Sequence, residues 1–270
     1  MGLAYGSEAS VELTKKITCA MQAASIEASV DLAHKKEPFA EFDRCRESLL
    51  SVLKLHQKAV EQQDPDDEFW QIQRKTWLKL IERAEKVGVR NSQWTLIAPT
   101  GTIGLFMDCD TLGIEPEFSL MKTKSLAGGG VLTLINSSVE PALQSMGLEN
   151  AKRTEAIEYL RKHHTLEGCV ALSAEQQAVF STAVPARAGG QMLRWQAHLD
   201  VMAAAQPFLS GAISKTVNLS SETSTKDIAE IYMSAWKLGL KSVAIYREGS
   251  KGSQPLNVKS IDSKISKRSS

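Results

Sequence analysis

Residues 97–116 read IAPTGTIGLFMDCDTLGIEP. The segment just before them, Trp94-Thr95-Leu96-Ile97, is apolar and β-branched, and it predicts a buried strand over 93–98. That strand runs into Pro99-Thr100-Gly101-Thr102-Ile103-Gly104, residues that bare their own backbone. Pro99 fixes φ on entry and has no N–H in need of a partner. Gly101 and Gly104 carry no Cβ, so a ligand can come close to the main chain. Successive amides in such a turn form a concave anion site, to which the hydroxyls of Thr100 and Thr102 add donors. The stretch is not a P-loop, because it lacks the Gly-Lys-Ser/Thr ending, and it is not a G-x-G-x-x-G fingerprint. On these residues alone two readings stand. A plain turn is the simpler one; a phosphate site that works without a formal positive charge is the other.

Upstream of the stretch the pattern is helical. Residues 7–34 form one predicted helix, with Ser7 as cap, Glu8 in the first turn, and Leu13, Ile17, Ala20 and Ala24 at helical spacing. A second covers about 42–60. A third follows the Asp-Pro-Asp-Asp run at 64–67 and stops at Gly88. Downstream, EFSLMKTKSL and GVLTLIN predict two strands joined through Ala127-Gly128-Gly129-Gly130. Helices are expected at 138–147 and 150–163, with a mixed region over 165–190. Then come a helix in RWQAHLDVMAAAQPF, a strand in GAISKTVNL, a helix opened by Ser224 or Thr225 and closed by Gly239, and a final strand in KSVAIYR. Helix and strand alternate, so the fold class is α/β, helical over 1–90 and mixed over 91–248. From Gly249 the composition turns to Ser and Lys with few apolar residues; 249–270 is expected to be a disordered tail or linker.

Bulk properties narrow the function classes. The 32 basic and 31 acidic side chains leave a net charge of +1, which points away from nucleic-acid and membrane surfaces. There is no apolar run of bilayer length and no secretory signal layout, so a cytoplasmic location is expected. Cys19, Cys45, Cys109 and Cys169 are far apart, which argues against a disulfide scaffold or zinc ribbon and for buried, reduced thiols. Asp108, Asp110, Glu115 and Glu117 cluster, but no His lies near and the spacing fits no Ca²⁺ loop, so no metal site is assigned. Cys109, between two carboxylates that disfavour a thiolate, is a poor nucleophile and is expected to pack inside. His163 and His164 close a helix and suit its dipole. Trp195, Trp236 and Tyr246 read as core or interface residues.

Three long segments, in order, carry a resemblance: APTGTIGLFMDCDTLGIEPEFSLMKTKSLAGGG, AHLDVMAAAQPFLSGAISKTVNL and YMSAWKLGLKSVAIYREGSKGSQPL. They resemble the catalytic subunit of adenosylcobalamin-dependent (class II) ribonucleotide reductases, over most of residues 1–256, and the opening MGLAYGSEA looks like a further segment of that family. The resemblance implies a ten-stranded α/β barrel made of two five-stranded halves, of which this chain looks like the second. It implies that Pro99, Thr100, Gly101, Thr102 and Ile103 bind the phosphates of a ribonucleotide substrate, in agreement with the anion argument above. It gives Gly128 to Gly130 no ligand. Iron-dependent relatives carry two adjacent tyrosines after a similar Gly-Leu-Lys segment; here Ile245 precedes Tyr246, which fits a cobalamin enzyme that makes its radical in place.

By the same resemblance, the reaction removes the ribose 2′-hydroxyl by radical chemistry, with adenosylcobalamin generating a thiyl radical and a thioredoxin-type dithiol as reductant. Di- and triphosphate substrates are equally compatible with the residues present. The Asn-x-Cys-x-Glu segment that would carry the thiyl is absent from these residues, as is a C-terminal Cys pair, so no catalytic residue is assigned. The family cysteine expected near VFSTA is replaced by Thr182, and more chain is expected between HHTLEG and AHLDVMAAAQPF. The expectation is therefore a part of a reductase that is inactive alone, with an upstream reductase portion or a second copy as partner. The alternative is a non-enzymatic nucleotide-binding or assembly protein derived from the same fold.

Overall fold

The computed structural model describes residues 1–125, 131–185, 190 and 192–250. Three long helices come first: α1 (Glu8–Lys36), α2 (Phe42–Glu61) and α3 (Glu68–Val87). Their ends follow from local chemistry. The Ser7 side chain accepts from the Ser10 amide at the start of α1, and Asp67 accepts from Phe69 and Trp70 at the start of α3. Gly88, at φ +82, closes α3, and a Cβ there would lie 2.6 Å from Pro38. Ile26, Val30, Leu53, Val60, Trp70, Trp77 and Ala84 form the core shared by these helices. Trp70 is fixed at both ends: its ring stacks on Phe208 at 5.9 Å and its Nε1 donates to Glu12 at 2.7 Å.

The short helix α4 (Gly101–Phe106) follows, and then an antiparallel hairpin of β1 (Met121–Ser125) and β2 (Val131–Ile135), registered from Met121↔Ile135 to Ser125↔Val131. Helices α5 (Val139–Ser145), α6 (Asn150–His163) and α7 (Ala174–Val179) gather a second core around Leu143, Leu160, Leu166 and Phe180. The glycines expected to join the two strands, 128–130, lie outside the described residues.

A βαβ unit ends the described chain. After α8 (Trp195–Ala205) and a 3-10 turn at Gln206–Phe208, β3 (Thr216–Leu219) and β4 (Ala244–Arg247) run parallel on either side of α9 (Thr225–Lys237). Ser224 opens α9 with a reciprocal capping box to Asp227. On the other edge of β3 the predicted strand over 93–98 shrinks to one parallel bridge, Ile97↔Ile213. Around that bridge Gly211 N donates to Thr95 O at 2.8 Å and Ser214 N to Ile97 O at 2.8 Å. A Cβ on Gly211 would lie 2.8 Å from the Leu96 Cβ, so the close approach of these segments requires glycine there.

Segments 95–97, 211–219 and 244–247 thus lie side by side and parallel. The expectation of half a ten-stranded barrel is met in part: among the described residues the chain is mostly helical, with this parallel fragment and one hairpin, and no closed barrel. The strand at 93–98 is short for a physical reason. It has a hydrogen-bonding neighbour on one side only among the described residues, and Pro99 cannot extend the ladder.

Candidate functional site

The loop after Ile97 is folded on itself. Thr100 takes a left-handed φ of +50°, uncommon for a β-branched residue. From that conformation its carbonyl accepts the Gly104 amide at 2.7 Å and its Oγ1 accepts the Gly113 amide at 2.6 Å. Gly113 itself sits at φ +58, and a Cβ there would lie 2.5 Å from Ala98 O. Residues 98–113 therefore close into a compact excursion, with α4 on its outer side. The amides of Gly101, Thr102 and Ile103 occupy the first turn of α4 and donate to no group among the described residues. A Cβ on Gly101 would meet nothing within 4 Å. The loop stands at an open surface, next to the exposed side chains of Ile103, Phe106 and Met107. Of two cavities of about 350 and 340 Å³, neither is lined by 99–103, and the second reaches Thr111 at the far end of the excursion.

The acidic residues that follow are dispersed to separate partners. Asp110 accepts from Ser137 and Ser138 and so ties the excursion to the start of α5. Glu117 accepts from the amides of Phe118 and Ser119. Cys109 does not pack inside as expected: the positive φ of Asp108 turns the chain and leaves Cys109 exposed. Of the other thiols, Cys19 and Cys169 are buried and Cys45 is half-buried, all unpaired. No group of three His, Cys, Asp or Glu side chains is placed to hold a metal ion among the described residues.

Glu115 leads to a buried polar cluster that the sequence reading missed. Lys215, fully buried as a side chain, places Nζ 2.5 Å from Glu115 Oε2 and 2.8 Å from His198 Nδ1, and donates to Thr216 O at 3.0 Å. Glu115 Oε1 accepts the Thr216 amide at 2.7 Å. Tyr5 covers the cluster: its hydroxyl donates to Ile114 O at 2.8 Å and Lys215 Nζ lies 5.8 Å from its ring centroid. Burial pushes the Lys215 amine below its usual range, against the pull of Glu115. Burial, helped by the Lys215 charge, pushes His198 down to about 3. Burial and then the Glu115 charge push the Tyr5 phenol well up. Lys215 donates to Nδ1, so the proton of the neutral His198 ring sits on Nε2, which is buried without a partner. One signal was available in the sequence: Ile213, Lys215, Val217 and Leu219 alternate with period two, and all four are buried, so the lysine sits at an inward position of its strand.

The remaining candidates take structural places. His163 lies in the last turn of α6 and stacks on Tyr159 at 4.2 Å, while His164 is the left-handed C-cap. Trp195 and Ile245 pack on the core around β3, Trp236 is exposed, and the Tyr246 hydroxyl is buried without a partner. Thr182 donates to Val184 O at 2.7 Å.

A parallel βαβ unit beside a glycine-bearing loop defines part of an α/β domain. The chain belongs to the ribonucleotide reductase family: the model described as "Ribonucleotide reductase, barrel domain" matches residues 1–246. It is 42% identical over 265 residues to a vitamin B12-dependent ribonucleotide reductase of Rhodopirellula baltica, covering 97% of this chain and 26% of that protein. It is 37% identical over 262 residues to one of Streptomyces coelicolor, covering 96% and 27%. A third, of Agrobacterium fabrum, is 30% identical over 370 residues, covering 97% and 29%. The chain therefore spans between a quarter and a third of the length of these relatives. The 370-position alignment exceeds the 270 residues of this chain and requires a long insertion in the relative; the 265-position alignment does not. The extra chain expected before AHLDVMAAAQPF is thus not common to all relatives.

Neither of the two cavities among the described residues is assigned to the cofactor in the relatives' names. A corrinoid with its adenosyl group outgrows either of the two cavities, which are open clefts of about 350 and 340 Å³. No side chain here is assigned to it.

Proposed function

We propose that this chain is part of a vitamin B12-dependent ribonucleotide reductase and supplies the loop, Pro99 to Ile103, that holds the substrate phosphates. The observation that carries the reading is the row of unengaged amides at Gly101, Thr102 and Ile103, with open space where a Gly101 Cβ would stand. Unengaged amides fixed by the fold suit an anion without the desolvation cost of a buried cation. The Thr100 and Thr102 hydroxyls extend the donor set. The names of the relatives support ribonucleotide as the substrate class and adenosylcobalamin as the radical source. Residues 1–248 act as part of the barrel domain, with 249–270 as a tail or linker; a cytoplasmic setting and a thioredoxin-type dithiol reductant complete the reading.

The loop lies on an open face flanked by Leu96, Ile103, Phe106 and Met107, all exposed. Exposed apolar side chains beside a loop fit an interface. The partner in this reading is the reductase portion that carries Asn-x-Cys-x-Glu, or a second copy of this chain. The chain alone reduces no ribonucleotide. The test is an assay with ribonucleoside diphosphate or triphosphate, adenosylcobalamin and dithiol, run with and without such a portion. Deoxynucleotide only in the combined assay supports the proposal; product from the chain alone, or none from either, overturns it.

A further inference from the structure

We infer that Lys215 is a positioning residue for the 99–104 loop and acts on it through Glu115. The functional side of this inference rests on reading that loop as the nucleotide-phosphate site; the structural side does not. Thr100, whose conformation orients the free amides, is held by the Gly113 amide at 2.6 Å. The next residue, Ile114, packs into the core around β3 and receives the Tyr5 hydroxyl at 2.8 Å. Glu115 then grips β3 twice, through the Lys215 ammonium at 2.5 Å and the Thr216 amide at 2.7 Å. Three consecutive residues, 113 to 115, therefore carry the loop's register to β3, and the Lys215 ammonium holds the far end.

Stability does not explain the choice of lysine. The neighbours of Lys215 on the inward face of the strand are Ile213 and Val217, and a buried ion pair is often no more stable than an apolar residue of similar size. What an apolar residue cannot provide is direction. An ammonium shared between Glu115, His198 Nδ1 and Thr216 O has one placement that satisfies all three acceptors. It fixes the Glu115 carboxylate, which faces solvent in part and would otherwise swing outward. Glu115 is two residues beyond the end of the excursion at Gly113, too close in sequence for that movement to leave Gly113 and Thr100 in place.

Amide hydrogen exchange on the whole chain tests this, comparing the natural protein with Lys215→Met and Glu115→Ala. The Gly104 and Gly113 amides, both bonded to Thr100, report on the loop; amides inside α2 and α3 report on global stability. The inference predicts that either variant speeds exchange at Gly104 and Gly113 by about tenfold or more while α2 and α3 are unchanged, that the double variant adds little, and that Glu115→Gln, which keeps the shape but only one of the two acceptor oxygens, recovers only part of the protection. Unchanged exchange at Gly104 and Gly113, or a change that only tracks α2 and α3, overturns it. Should Lys215→Met fail to fold, Glu115→Ala decides alone, since Glu115 sits at the edge of the cluster. Titrating the same proteins with ADP separates the two proposals. If the natural chain does not bind ADP, the phosphate reading fails while the exchange result still decides the positioning role.

Discussion

The Oγ1 of Thr100 accepts the amide of Gly113 at 2.6 Å and closes a loop between residues 13 apart in sequence. That one bond holds the turn from which α4 starts, where the amides of Gly101 to Ile103 donate to no group among the described residues. Gly113 and Gly101, two of the three glycines of the excursion, respond differently to the same substitution.

Gly113→Ala places a methyl group 2.5 Å from Ala98 O at a φ of +58°, so the chain must shift. The expected loss of stability is about 1–3 kcal/mol, read from denaturant unfolding. Gly101→Ala meets open space at an ordinary φ, and its unfolding free energy should stay within about 0.5 kcal/mol of the natural protein. Nucleotide affinity should nevertheless fall, because the methyl group stands where the phosphate must approach.

Thiol reactivity should follow exposure. Iodoacetamide applied to the native chain, with mass spectrometry of the products, should modify Cys109 first and Cys45 more slowly. Cys19 and Cys169 should react only after denaturation.

Acid should destabilise the protein well above the carboxylate range. Burial pushes His198 down to about 3 and His56 down to about 4, the latter helped by the Lys241 charge. Both rings fold neutral, whereas the unfolded chain protonates near pH 6.5. Their contribution is complete above that value and is lost as pH falls toward the folded values, because the unfolded state then binds more protons. The full shifts correspond to about 3 kcal/mol for His56 and about 5 kcal/mol for His198. Urea midpoints measured from pH 7 to pH 4 should fall steadily, and His56→Gln should flatten part of the slope.

Removing the α9 cap is a local test of the βαβ unit. Ser224→Ala breaks the reciprocal bonds with Asp227 and should destabilise by about 1 kcal/mol, with the loss seen in thermal unfolding.

The helices and their ends were readable because each depends on nearby residues. Ser7, Asp67, Gly88 and Ser224 act within three or four positions of themselves, and the three N-terminal helices fall where their apolar spacing predicts. The strand at 93–98 was over-read, since β-branched residues report a tendency to extend but not how many neighbours a strand finds. The exposure of Cys109 depends on one backbone turn at Asp108 that composition does not reveal. The Lys215 cluster joins residues 5, 114–115, 198 and 215–216, and only the fold brings them together; its single trace in the sequence is a lysine at an inward position between Ile213 and Val217. The loop itself was legible as a chemical motif, while its open setting, with residues 99–103 lining neither cavity, was not.

The most direct measurement is an amide-resolved NMR titration of the chain with a ribonucleoside diphosphate, using the parent nucleoside as control. The account predicts saturable shifts centred on the amides of Gly101, Thr102 and Ile103 that require the phosphates. Shifts absent from those three amides, or equal with the unphosphorylated nucleoside, would contradict it.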